Sequence, residues 1–218
     1  MSMKLFRTLA VTLFVTVFAL SPVKLKAQSA EKKAIALLEE VTAKMKSYKT
    51  MKLDFTYSML NKGQKIKEAF KGSLAAKGDK YKLNISDQQI FCDGKTAWTY
   101  MKDANEVNIN DVTGDEDSFT PTKFMTSYGS NYKSKLIEDK GNLQVIEMVP
   151  TKGRRKLAKV RLTLDKAAKQ VKNMQVFDKN GGVFTYNIEH FVTDQPMSDT
   201  EFTFKASNYP KVEVVDMR

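Results

Sequence analysis

The chain carries little that could make or break a covalent bond. His190 is its sole histidine and Cys92 its sole cysteine. There is no histidine pair, no Cys-X-X-Cys, no HExxH and no EF-hand loop, so the residue types predict neither a transition-metal nor a calcium site. No Gly-rich phosphate loop is present, and no serine sits in a Gly-X-Ser-X-Gly setting. Cys92, at a hairpin, reads as a small buried hydrophobe rather than a nucleophile. His190 shares strand parity with Ile188 and reads as a partly buried, satisfied histidine rather than a general base. The adjacent carboxylates Glu39 and Glu40 fall on the solvated side of a helix. Catalysis finds no support, and no cofactor is expected.

What the chain offers instead is apolar capacity. The stretch Phe91-Cys92-Asp93-Gly94-Lys95-Thr96-Ala97-Trp98-Thr99-Tyr100 reads as a hairpin, with Asp93-Gly94 at a two-residue turn needing φ > 0 at both central positions. The period of two puts Trp98, the only tryptophan, on one face with Tyr100. Such a pair must bury against a sealed core or a hydrophobic ligand. Eleven methionines, two of them at positions 1 and 3, add side chains that adapt to irregular apolar shapes.

These residues need elements to position them. Residues 1–27 read as a secretory signal peptide: Lys4 and Arg7, an apolar run Leu9–Leu20, and Ala27 before Gln28. Leu25 departs from the usual small residue, and an uncleaved anchor is the alternative. The remaining 28–218 read as one domain, long enough to bury roughly 70% of its unfolded surface. The net charge is +11, and removing Lys4, Arg7, Lys24 and Lys26 leaves +7 on the exported part. The lysines are spread over many strands and no nucleic-acid motif occurs, so no nucleic-acid partner is expected. One cysteine cannot form an internal disulfide, and it lies too far from the signal for lipidation.

Ala30–Tyr48 has helical periodicity, with Ala34, Leu37, Leu38, Val41, Met45 and Tyr48 on one stripe and Ser29 as N-cap. Period two follows. Met51, Leu53, Phe55, Tyr57 and Met59 mark one strand, Ile66, Phe70 and Leu74 a second, and Tyr81, Leu83 and Ile85 a third. The hairpin supplies two more, and Val107–Ile109 a short sixth. The acidic run Asn110–Ser118 breaks the rhythm, and Thr120-Pro121 opens a short helix with Phe124, Met125 and Tyr128. That helix reads as a lid or as a connection over a sheet edge. Strands resume at 135–139, 143–150, 156–165, 171–178 and 183–192, with Phe184, Tyr186 and Ile188 on one face; Phe202–Phe204 and Val212–Val215 close the series. Short turns make neighbours antiparallel. The expected fold is mainly β: a single antiparallel sheet of about 11 strands curled into a half-open barrel, its concave face covered by the N-terminal helix and the short lid helix.

The order of these elements resembles a known family. The residues that carry the likeness are Leu53-Asp54-Phe55-Thr56, Gly72-Ser73-Leu74, Asp93-Gly94-Lys95-Thr96-Ala97-Trp98-Thr99-Tyr100, Phe202-Thr203-Phe204 and Tyr209-Pro210-Lys211-Val212-Glu213-Val214. They are similar to the periplasmic outer-membrane lipoprotein carriers of the LolA type. The resemblance implies a monomeric, soluble periplasmic carrier that shields lipoprotein acyl chains in a hydrophobic cavity. It also implies an inner-membrane lipoprotein-releasing ABC transporter as donor and an outer-membrane receptor as acceptor. The family often places an Arg-Pro pair where this chain has Lys77-Gly78-Asp79, so lid control by that arginine is not carried over. The expected acyl-chain cavity comprises Leu53, Phe55, Tyr57, Phe70, Leu74, Trp98, Tyr100 and Met148, with Phe124 and Met125 from the lid. Lys152, Arg154, Arg155 and Lys156 would form a solvated loop or meet a receptor or headgroups. A lipid- or lipoprotein-sensing protein, or a generic lipid binder of the same fold, is the alternative. A lipid hydrolase would need a nucleophile–base pair that the chain lacks.

Overall fold

The computed structural model describes residues 22–61, 63, 65–112, 131–151 and 156–218. Twelve strands form one sheet in the order β12-β6-β5-β4-β3-β2-β1-β11-β10-β9-β8-β7, and the terminal strands β12 and β7 do not pair, so the sheet is not closed. Two meanders build it. The first runs β1 (Met51–Asn61), β2 (Ile66–Lys77), β3 (Lys80–Ile85), β4 (Gln88–Cys92), β5 (Thr96–Met101) and β6 (Glu106–Asp111). The second runs β7 (Tyr132–Lys140), β8 (Leu143–Pro150), β9 (Leu157–Asp165), β10 (Gln170–Asp178) and β11 (Gly182–Thr193). They are joined where β1 pairs with β11 over its whole length, a long-range antiparallel contact.

Helix α1 spans Pro22–Ser47. It starts eight residues earlier than the periodicity suggested, because Pro22 suits a first helical position, and Ser29 lies inside it rather than capping it. Ala34, Leu38, Val41 and Met45 are 0–8% exposed, packed against Ile146, Met148, Val160, Leu162 and Leu164. The helix therefore lies over the β7–β10 side of one sheet face, here the inner face.

Three expectations about strands are corrected. Phe202–Phe204 is not a strand: Asp199–Phe202 is a 3₁₀ turn, with Ser198 and Glu201 forming a reciprocal capping box. The final strand β12 (Glu213–Asp216) pairs parallel, not antiparallel, with β6. The chain reaches it from β11 across the sheet, and such a long crossover lets a strand enter in parallel. The hairpin after Cys92 has a three-residue loop, Asp93-Gly94-Lys95, with φ +95° at Gly94 alone. Burial opposes ionisation of Asp93, but the N–H groups of Thr96 (2.8 Å) and Lys95 (2.9 Å) hold its carboxyl below the usual range. The lid-like segment, with Phe124 and Met125, and Lys152, Arg154 and Arg155 lie outside the described residues.

Candidate functional site: an open apolar groove on the inner face

Register decides which side chains share the inner face. Leu53 pairs with Leu74, Phe55 with Gly72 and Tyr57 with Phe70 across β1–β2; Leu74 then pairs with Leu83, and Gly72 with Ile85. On the other side of β1, Leu53 faces Phe191 and Tyr57 faces Tyr186. Six of the ten expected cavity residues are thus brought together: Leu53, Phe55, Tyr57, Phe70, Leu74 and Met148. Gly72 is required within this set. A Cβ there would stand 2.3 Å from Cζ of Phe55 and 2.9 Å from the Asn84 carbonyl oxygen, so the Phe55 ring lies directly over bare backbone.

Trp98 and Tyr100 are not part of it. The pairs Ala76–Tyr81, Tyr81–Cys92 and Cys92–Ala97 carry the inner face to Ala97 and Thr99, which leaves Trp98 and Tyr100 on the outer face. They share parity as expected, but choosing the wrong parity sends a whole strand's set to the other face. There Phe91, Tyr100, Val107 and Phe204 form a second cluster, with Trp98, Tyr209 and Val212 against it.

His190 is also displaced from its expected place. Glu189 is an extra residue between the pairs Asp54–His190 and Phe55–Ile188, a bulge that reverses parity. His190 therefore stands exposed on the outer face opposite Asp54. It borders a polar depression of about 420 Å³ with Asp54, Lys71, Ser73, Asn84 and Glu189. Cys92 is fully buried, and burial raises its thiol pKa, the opposite of an activated nucleophile. Among the described residues no cluster of metal-ligating side chains occurs.

The inner face itself has two parts. Under α1 it is filled: Ile146, Met148, Val160, Leu162 and Leu164 are 0–1% exposed. Toward β1–β5 the same core continues through Phe55, Leu74, Ala76, Tyr81 and Cys92 and then gives way to half-buried side chains. Tyr57, Phe70, Ile85 and Met101 are half-buried and form the apolar side of a cleft of about 410 Å³. Its other side is Ser86, Asp87 and Gln88 of one turn and Lys102, Asp103 and Ala104 of another. An aromatic row floors this end. The Tyr57 ring stacks on Phe70 (6.2 Å) and Phe184 (6.4 Å) and tilts against Tyr186 (5.0 Å). Burial pushes the Tyr186 phenol up to about 12 and raises that of Tyr57, helped by Glu68, so both remain neutral in an apolar wall. Sequence reasoning placed Phe184 and Tyr186 on one face without assigning them here, because their link to Tyr57 runs through pairing of residues far apart in the chain. Half-buried rings beside a cleft are a surface that an apolar ligand can cover.

An unclosed sheet with a helix over one part of its apolar face and a cleft beside it is a half-barrel. Comparison with known proteins names the family. The model of the family described as outer membrane lipoprotein carrier protein LolA matches residues 46–205, and the chain belongs to that family. An outer-membrane lipoprotein carrier protein of Histophilus somni (strain 2336) is 31% identical over 134 residues, which cover 61% of this chain and 62% of that one. The chain thus spans less than two thirds of the length of this curated relative. Among solved structures, an uncharacterized conserved protein from Thermus thermophilus shares the fold with TM-score 0.53 and 13% identity, covering 84% of this chain and 99% of that one. A putative outer membrane lipoprotein-sorting protein domain from Vibrio parahaemolyticus gives TM-score 0.45 at 13% identity, covering 79% of this chain and 97% of that one.

Proposed function

We propose that this protein is a non-catalytic carrier that shields the acyl chains of lipoproteins in its inner groove and ferries them from the inner to the outer membrane. The observation that carries the reading is the cleft lined by Tyr57, Phe70, Ile85 and Met101 at the margin of the inner-face core, against which Tyr57 and Ile85 pack. Leaving a sixteen-carbon chain in water costs about 12 kcal/mol at roughly 0.8 kcal/mol per methylene. A carrier must cover that surface without a covalent step, and neutral rings with buried aliphatics do so. Membership of the carrier family and the name of the Histophilus somni relative support the same reading. In this reading residues 1–27 are the export signal, 28–218 the carrier domain and the periplasm its compartment. An inner-membrane lipoprotein-releasing ABC transporter is the donor and an outer-membrane receptor the acceptor. No helix among the described residues is long and apolar enough to cross a membrane.

The test is native mass spectrometry with lipid extraction on the protein isolated from its own periplasm, followed by an offer of acylated lipoprotein from spheroplasts. A soluble one-to-one complex with acylated lipoprotein is expected. Phospholipid or fatty acid alone, with no lipoprotein uptake, would replace the carrier by a generic lipid binder.

A further inference from the structure

Lysines that are scattered along the sequence are gathered by register on one part of the outer face. Consecutive pairings on β2, β1, β11, β10 and β9 align Lys67, Leu60, Val183, Phe177 and Lys159 in a row across the strands. The pair Val149–Lys133 on β8 and β7 extends the row, in step with Met148–Val160 on the inner face. The neighbouring row runs through Ala69, Ser58, Thr185, Gln175, Arg161, Glu147 and Lys135. Together the two rows hold five cations and one carboxylate. They cross seven strands, about 29 Å at ~4.8 Å per step, on the side of the sheet away from the Phe204 cluster.

The one carboxylate is already shared. Glu147 Oε2 accepts from Lys159 Nζ (2.9 Å) and Arg161 Nε (2.8 Å), and both cations lie over the Phe177 ring, at 5.1 and 5.3 Å. Lys67, Lys133 and Lys135 are exposed and make no ion pair among the described residues. Among these cations stand Leu60 and Val149, 39% and 44% exposed. Uncompensated cations beside exposed apolar side chains suit a partner that spreads negative charge over an apolar layer. Lysines on flexible stems act as point charges and adapt to such a surface, whereas the discrete carboxylates of a protein are met better by arginine forks. The single arginine here is engaged by Glu147. We propose that this outer-face patch docks the protein on a membrane surface rich in anionic phospholipid, leaving the inner groove on the opposite face accessible. Each lysine near the surface raises the affinity about fivefold, salt screens the attraction, and Leu60 and Val149 reach the headgroup level.

The experiment measures co-sedimentation of the exported protein with vesicles of phosphatidylglycerol and phosphatidylcholine in equal parts, against vesicles of phosphatidylcholine alone. Adsorption is expected on the anionic vesicles only, falling at least about tenfold between about 50 mM and about 0.5 M salt. Lys133→Gln combined with Lys135→Gln should weaken it about twenty-five-fold. Lys95→Gln combined with Lys205→Gln removes the same charge at exposed positions outside the patch and should leave it within about twofold. Val149→Ser should weaken it about threefold. Lysolipid affinity, titrated in the same proteins, reports on the groove separately and should be unchanged in every variant. Equal losses in the two double variants would reduce the effect to net charge and overturn the patch. Equal binding to both kinds of vesicle, or binding to neither, would overturn it as well. Absence of vesicle binding together with lipoprotein uptake lost in the Lys133–Lys135 variant would make an acidic protein the partner of this face, and the lipid assignment would fall.

Discussion

Two apolar clusters lie on opposite faces of the same sheet, and the contrast between them separates structural core from ligand surface. On the outer face the chain covers its own aromatics. Phe204 packs on Phe91 (5.8 Å) and Tyr100 (5.9 Å), and Tyr209 stacks on Phe204 (4.5 Å). Polar ties hold this covering segment down: the Tyr209 hydroxyl donates to Gln89 Oε1 (2.9 Å), and Asp199 receives Lys77 (2.8 Å) and Lys80 (2.6 Å). On the inner face Phe70 and Tyr57 border a cleft, and Phe184 stacks on Tyr57 behind them. Aromatic content is similar, and the difference is the cover. A cluster capped by its own chain with directional bonds is a fixed part of the fold. In the proposed function, a row of rings beside a cleft is where the acyl chain packs.

The largest expected effect breaks the outer cluster. Phe204 is 9% exposed and touches three rings, so Phe204→Ala should cost about 3 kcal/mol in urea unfolding. Acyl binding by the molecules that remain folded should be unchanged. A loss of lipid affinity in folded Phe204→Ala would dissolve the distinction drawn between the faces. A smaller effect with the opposite profile is expected inside. Tyr57→Ala removes a half-buried ring, costs about 1 kcal/mol of stability, and weakens acyl binding about tenfold. Isothermal titration of both variants against one lysolipid makes the comparison in a single experiment.

How much of this was legible in the sequence depended on the distance over which each feature is determined. Local signals were sufficient for the strand runs and for the stripe Ala34, Leu38, Val41 and Met45, because each is set by periodicity within its own element. They also sufficed for the shared face of Leu53, Phe55 and Tyr57. The side of Trp98 was not legible. Its face is fixed by a chain of pairings through Cys92, Tyr81 and Ala76, none of which a single strand records. His190 failed for a related reason: one extra residue at Glu189 reverses parity, and nothing in the composition of β11 marks a bulge. The 3₁₀ turn at Asp199–Phe202 could have been read, since Ser198 and Glu201 stand at capping-box spacing. The alternation of Phe202 and Phe204 obscured it.

The smallest expected effect sharpens the comparison through pH. Hydrogen bonds from Lys77 and then Lys80 lower the Asp199 carboxyl to about 2, from an ordinary 3.8. A depressed folded-state pKa contributes stability that is complete above the ordinary value and is lost as pH falls from about 4 toward about 2. Because Asp199 is exposed, the contribution is small and salt-sensitive. Trp98, the only tryptophan, packs in the outer cluster, so its emission reports on the covering segment and not on the groove. Between pH 4 and pH 2 at low salt, the wild-type emission should shift toward exposure ahead of global unfolding, and Asp199→Asn should already show part of that shift at pH 7. Saturating lysolipid should leave the emission at pH 7 unaltered in both proteins. An emission change on lipid binding would mean that the two faces are coupled through the sheet, and that the outer cover belongs to the binding cycle.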